Sequence, residues 1–339
     1  MHFIKSNRFL GLVAVIVLVV LAGGHIAALA QSGNAAQYPI TITHAYGETV
    51  IEKAPERVAT ISWGNQDVPL ALGVVPVGVS KANYGVGPEE ILLPWTMDGF
   101  AALGETAPNV FDDTDGLDYE AINDAQPDVI LAAYSGITQE EYDRLSEIAP
   151  VVAYPTLAWQ TLWRDQILLD AAGMGLKAEG EALVSSLEQL IADKSDAYPQ
   201  IKGKSAAFFW FSPTDLGNAY IYMLADPRAA YLTDLGLTFP ESVVQLAGGS
   251  DSFAIQISAE NFDKLADLDI IITYGDETLL AAMQADPLAG SIPAVKNGAV
   301  AVIKDGLYLS ASCTPSALSI PATIDEYLAL IAQAAEKVQ

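Results

Sequence analysis

Four aspartates, Asp112, Asp113, Asp115 and Asp118, crowd one short stretch of the chain. Clustered carboxylates could hold a hard cation. The same spacing suits a solvated acidic loop, which is the reading favoured here. Other reactive chemistry is thinly supplied. Cys313 is the only cysteine, and His44 is the only histidine beyond residue 30. Direct capture of a transition metal needs several His, Cys or carboxylate ligands converging on one point. Neither G-x-S-x-G nor H-E-x-x-H occurs, and His44 lies in an unrelated β-like stretch, so an enzyme is not expected. Cys313 is read as a small buried hydrophobe that cannot form a disulfide within the chain. Large aromatic side chains with polar edges are plentiful, by contrast, and many stand just past apolar runs. They offer contact area with little entropy loss, which suits recognition of a bulky organic group.

The elements that must position these side chains alternate between strand and helix. Apolar runs at 57–62, 74–79, 129–133, 151–154, 205–211, 270–273 and 299–303 read as buried strands. Helices are expected at 67–72, 119–125, 138–148, 227–235, 258–266, 277–284 and 321–338. Residues 39–50 read as an edge hairpin and 83–99 as a Gly/Pro-rich loop. One pattern occurs twice. Glu120 opens a helix and Tyr134 ends the strand that follows; Glu260 and Tyr274 repeat this, and 134 − 120 and 274 − 260 are both 14. Between the copies, 159–172 and 178–197 are helical in period and punctuated by Gly173 and Gly175. The expected fold is therefore α/β, with two Rossmann-like lobes joined by a single long helix and a ligand cleft between them. The divisions are 31–157, a connecting helix region at 158–200, and 201–339. One stiff link implies modest closure.

Ligands in open α/β sheets sit beyond the carboxyl ends of the strands. Trp63, Tyr84, Tyr134, Trp210 and Tyr274 stand there. Trp95, Trp159, Tyr220, Tyr222, Arg228 and Tyr308 join them from connecting loops. Beyond residue 30 the arginines are Arg57, Arg144, Arg164 and Arg228. Arg57 precedes a strand and Arg144 lies on a surface helix, which leaves Arg164 and Arg228 as cleft candidates. With so few cations, a neutral or cationic ligand is expected rather than an anionic one.

The chain has 339 residues, with 42 acidic against 16 basic. That balance excludes nucleic acid, whose phosphates call for clustered Lys and Arg. Residues 1–30 read as a cleaved signal peptide: Lys5 and Arg8, an apolar stretch at 9–22, and Ala28-Leu29-Ala30 as the cleavage site. Removal leaves 14 basic and 42 acidic residues, a net charge of −28. Leu21-Ala22-Gly23 opens like a lipobox, but Gly24 stands where the lipidated cysteine belongs. The alternative is an uncleaved anchor over 9–30.

The stretches Thr41-Ile42-Thr43-His44-Ala45-Tyr46-Gly47-Glu48-Thr49-Val50, Ala54-Pro55-Glu56-Arg57-Val58 and Leu70-Ala71-Leu72-Gly73-Val74-Val75-Pro76-Val77-Gly78 carry a family likeness. With both repeat copies, Asp286-Pro287-Leu288 and Asn297-Gly298-Ala299-Val300, they resemble the ferric-siderophore-binding proteins of ABC importers. The resemblance covers nearly the whole chain beyond the signal region. It implies an extracytoplasmic, monomeric carrier whose iron arrives wrapped in its chelator, with no cofactor of its own. It also implies delivery to a permease dimer, with Glu120 and Glu260 docking into arginine pockets. The acidic balance then favours a ferric hydroxamate. Alternatives within the fold are a haem carrier, with Tyr84, Tyr134 or Tyr274 as axial ligand, a cobalamin carrier, or a sensor tethered through 9–30.

Overall fold

The computed structural model describes residues 36–212 and 215–338. The expected signal peptide or anchor lies outside the described residues, among which no helix is long and apolar enough to cross a membrane.

The first sheet grows from buried apolar runs. An antiparallel hairpin, β1 (Ile40–His44) and β2 (Gly47–Ile51), precedes it. Its strands are β3 (Val58–Thr60), β4 (Gly78–Ser80), β5 (Val110–Phe111), β6 (Val129–Ala132) and β7 (Val151–Ala153). They pair in the order β5-β4-β3-β6-β7, all parallel. Every residue of β3, β4, β6 and β7 is buried, as a parallel sheet covered on both faces requires. Its helices are α1 (Asp67–Ala71), α2 (Pro94–Ala102), α3 (Tyr119–Asp124) and α4 (Gln139–Ser146). Asp118 caps α3 through the Ala121 amide, and Thr138 with Glu141 closes a capping box on α4. The stretch expected as loop over 83–99 thus contains the start of α2, where Pro94 takes the first helical position.

The linking segment is α5 (Trp163–Gly173) followed by the long α6 (Lys177–Ser195). The chain turns at Gly175, whose φ of +74° admits the left-handed conformation that ends a helix. The two helices then pack closely: a Cβ on Gly180 of α6 would lie 2.5 Å from the Ala171 Cβ of α5.

The second sheet is mixed. Its strands are β8 (Ala206–Ser212), β9 (Asp215–Tyr222), β10 (Ala254–Ser258), β11 (Ile270–Gly275) and β12 (Val300–Lys304), in the order β10-β9-β8-β11-β12. β8, β11 and β12 are parallel, while β9 and β10 add an antiparallel edge absent from the sequence expectation. Helices α7 (Pro227–Asp234), α8 (Glu241–Ala247), α9 (Leu279–Ala285), α10 (Pro293–Asn297), α11 (Tyr308–Ser312) and α12 (Ser319–Ala335) complete this half. The element expected over 258–266 is a 3-10 helix, Ala259–Lys264. One apolar core joins the halves. It runs from Val129 and Leu131 of β6 through Trp163, Ile167, Leu187 and Ile191 of the linking helices. It continues to Tyr327 and Leu328 of α12 and to Phe208 and Ile272 of the second sheet.

Candidate ligand-binding cleft

A cavity of about 660 Å³ opens where the carboxyl ends of both sheets face each other. The chain after β3 builds one wall. Ser62 (φ 66°) and Gly64 (φ 71°) turn the backbone sharply and leave Trp63 half-buried against the cavity. Asn65, fully buried, holds this turn to the end of β6. Its Nδ2 donates to the Ile61 carbonyl (2.7 Å) and the Tyr134 carbonyl (3.0 Å), and its Oδ1 accepts from the Tyr134 amide (3.0 Å). Gln166 of α5 donates to the Trp63 carbonyl and to Asn65 Oδ1, both at 3.0 Å. Each buried amide is thereby matched, and Trp63 and Tyr134 are fixed relative to one another.

Trp159 stands edge-on to Tyr134, with ring centroids 5.4 Å apart. Its φ is +62°, unusual for a bulky residue, and its amide donates to the Ser135 carbonyl. The indole lies directly over Gly136. Across the cavity, Tyr84 lies between Trp63 (6.4 Å) and Tyr274 (6.2 Å), and its hydroxyl donates to Asp305. Trp210 of β8, Tyr222 of β9 and Tyr274 of β11 form the opposite wall. Arg228 of α7 lies 4.0 Å over the Tyr222 ring. Its Nε and Nη2 donate to both oxygens of fully buried Asp226, at 2.8 and 2.7 Å. The guanidinium is therefore neutralised and locked, and Nη1 has no partner among the described residues.

Burial raises the phenol pKa of Tyr84, Tyr134, Tyr222 and Tyr274 above the ordinary tyrosine value. At neutral pH these groups are uncharged, offering hydrogen-bond donors and aromatic surface to the cavity.

Of the side chains expected at the site, Trp63, Tyr84, Tyr134, Trp159, Trp210, Tyr222, Arg228 and Tyr274 line the cavity. Four do not. Trp95 lies in the core behind Trp63 and Tyr84, where its indole N–H donates to buried Asp67 at 3.0 Å. Arg164 turns to the surface between Glu188 (2.7 Å) and Asp234 (2.9 Å). Tyr220 supports the Trp210 ring from the solvent side, and Tyr308 donates to Glu326 at 2.6 Å. Sequence reasoning missed Phe253, which precedes the unexpected β10, and Asp305, which follows β12 and which the strand-end rule could have found. It also missed Lys81, Gln66 and Leu93. Asp112 is bonded to Lys81 and Thr114, and Asp113 to Ser80. Among the described residues no group of three His, Cys, Asp or Glu could hold a metal ion. Glu120 and Glu260 are exposed in the first turns of α3 and the 259–264 helix.

Two α/β sheets facing one aromatic cleft define a bilobal solute-binding protein. The chain belongs to the periplasmic binding protein family, whose match spans residues 58–307. It is similar to Streptococcus pneumoniae TIGR4 PiaA, solved in complex with ferrichrome, at 53% identity over 88% of this chain and 100% of that one, with a TM-score of 0.85. PiaA is also described as an iron uptake ABC transporter substrate-binding protein. A periplasmic solute binding protein of Mycobacterium smegmatis str. MC2 155 is 26% identical over 88% and 99% of the chains, with a TM-score of 0.69. Staphylococcus aureus SirA, complexed with staphyloferrin B, shares the fold at 24% identity over 86% and 98%, with a TM-score of 0.66. No curated protein matches. The chain is thus homologous to substrate-binding proteins of ABC iron importers, an extracytoplasmic family.

Proposed function

We propose that this protein captures a ferric siderophore in the cleft and delivers it to an ABC permease, and that it is not an enzyme. The observation that carries this reading is the aromatic cavity of about 660 Å³ in a chain 53% identical to a ferrichrome-bound protein. The volume and the flat walls suit a bulky chelate. Arg228, held by Asp226, offers its free Nη1 to a ligand oxygen without presenting an unpaired positive charge. A neutral ferric hydroxamate fits that environment, with ferrichrome the first to test.

In the same reading, Glu120 and Glu260 dock the two lobes onto a permease dimer. The carrier is a monomer released to the periplasm or cell exterior after cleavage at residue 30. Its lobes divide at 157 and 201. The test is tryptophan fluorescence of residues 31–339 titrated with ferric hydroxamates, ferric catecholates, haem and cobalamin. Saturable quenching by a ferric hydroxamate, absent with the iron-free chelator or free iron, is the expected result. A Soret band with haem alone, or saturation by cobalamin alone, would replace the siderophore reading.

A further inference from the structure

The cations lining the cleft are already matched. Arg228 is spanned by Asp226, and Lys81 pairs with Asp112 at 3.1 Å. The carboxylates are not matched in the same way. Asp113, Glu141 and Asp305 also line the cavity, and none forms an ion pair among the described residues. Asp113 accepts from the Ser80 hydroxyl, and Glu141 is held by the α4 capping box. Asp305 differs from both. It is the one lining carboxylate contributed by the second half of the chain. It is placed just beyond β12, with its own amide bonded to the Gly275 carbonyl at 3.0 Å. Its side chain is exposed and accepts only the Tyr84 hydroxyl, which reaches it from the first half.

We propose that Asp305 is a specificity-determining residue that rejects anionic ferric chelates through its charge. This rests on the siderophore reading above and deepens it by naming the ligand's charge class. A ligand entering between the walls meets a paired arginine, a paired lysine and three carboxylates without ion-pair partners, of which Asp305, at the end of β12, is the exposed one. A neutral tris-hydroxamate is indifferent to that charge. A ferric tris-catecholate, with three negative charges, is repelled by it. For a trianion about 8 Å from a unit charge in a solvated cleft, the repulsion amounts to about tenfold in affinity.

Two substitutions separate charge from lobe coupling. Asp305→Asn removes the charge and keeps an oxygen to accept the Tyr84 hydroxyl. Tyr84→Phe removes that hydrogen bond and keeps the charge and the ring. Dissociation constants are measured for a neutral ferric tris-hydroxamate and a ferric tris-catecholate on the unaltered protein and both variants. The expected result is a roughly tenfold fall in the catecholate-to-hydroxamate ratio of dissociation constants for Asp305→Asn, with that ratio unmoved by Tyr84→Phe. An unchanged ratio in Asp305→Asn overturns the assignment and leaves the siderophore reading standing. An equal fall in both variants also overturns it, since coupling of the lobes would then be the cause. Failure of the unaltered protein to bind either chelate overturns the functional reading and this one together.

Discussion

Gly136 is the position at which a single methyl group should disable the cleft and spare the fold. A Cβ built there falls 2.2 Å from Trp159 Nε1, 2.4 Å from Cε2 and 2.7 Å from Cζ2, against 3.4 Å or more for ordinary contact. Gly136→Ala therefore forces the indole to retreat by more than an ångström. Trp159 is 40% exposed, so its ring can swing toward solvent without disturbing the core. The loss falls on the ligand. If the displaced indole gives up about half of a tryptophan's contact, about 100 Å² at about 25 cal/mol per Å² is lost. That is about 2.5 kcal/mol, or roughly 70-fold in the dissociation constant. The assay is a fluorescence titration with ferrichrome, run beside thermal unfolding. Trp159→Ala should lose at least as much, and adding Gly136→Ala to it should cost little more, because both changes act through one ring. Gly136→Ala protein that binds within threefold of the unaltered chain would refute the reasoning. So would an effect equally large in the Trp159→Ala background.

Three further outcomes are expected. Glu120→Ala combined with Glu260→Ala abolishes uptake in cells and leaves ferrichrome affinity intact, because both carboxylates are exposed and outside the cavity; normal import by the double variant would remove them from docking. Arg164→Ala leaves affinity unchanged and costs at most about 1 kcal/mol of stability, since its ion pairs are partly solvated; a tenfold loss of binding would restore it to the site. Stability should rise as the solution is acidified from pH 7 toward pH 5. Burial raises the Asp67 carboxyl to about 6, despite donors from Trp95, Thr96 and Ser316, and holds Asp170 well above the usual range. A carboxyl whose pKa is raised on folding contributes stability that is complete below the unfolded value and lost as pH climbs through the folded one. The Asp170 oxygens make no hydrogen bond of ordinary geometry, the Ala133 amide giving only a partial one. Asp170→Asn should therefore raise stability at pH 7.5 by roughly 1–3 kcal/mol and flatten the rise, as read from unfolding midpoints; a less stable variant would count against this.

The repeated glutamate–tyrosine spacing was legible because it reflects one unit used twice: a helix start, a buried parallel strand and a tyrosine at or just beyond its carboxyl end. Tyr134 and Tyr274 consequently reach the same cavity from opposite sheets. The strands that carry them are continuous apolar runs, the clearest signal a parallel sheet leaves in sequence. β9 left no such signal. It lies between β8 and the edge strand β10, exposed residues alternate with half-buried and buried ones along it around Gly217, and missing it also hid β10 and Phe253. Trp95 was misplaced because a Gly/Pro-rich stretch hid the start of α2. Arg164 was assigned to the cleft by elimination among arginines. What removes it is the turn at Gly175, which brings Glu188 of α6 alongside α5, a contact between residues 24 apart that no local pattern encodes.

Backbone strain in this protein is concentrated where the ligand wall must be rigid. Among the described residues three non-glycines have positive φ: Ser62, Gln126 and Trp159. Gln126 follows α3, at the far end of its strand connection, but Ser62 and Trp159 both line the cavity. Such conformations cost on the order of 1–3 kcal/mol each and persist only where the surroundings over-determine them. The surroundings here are identifiable. Ser80 accepts the Ser62 amide at 2.9 Å, the Ser135 carbonyl accepts the Trp159 amide at 3.0 Å, and Asn65 with Gln166 ties the Ser62 turn and Tyr134, next to Ser135, to α5. Because α5 belongs to the apolar core that also holds α6 and α12, the alignment of Trp63, Tyr134 and Trp159 is anchored in that core rather than in the loops that bear them. A chelate therefore meets aromatic surfaces already in place. Less of its binding free energy is spent on ordering side chains, and selectivity falls to the few charges that remain around the cleft.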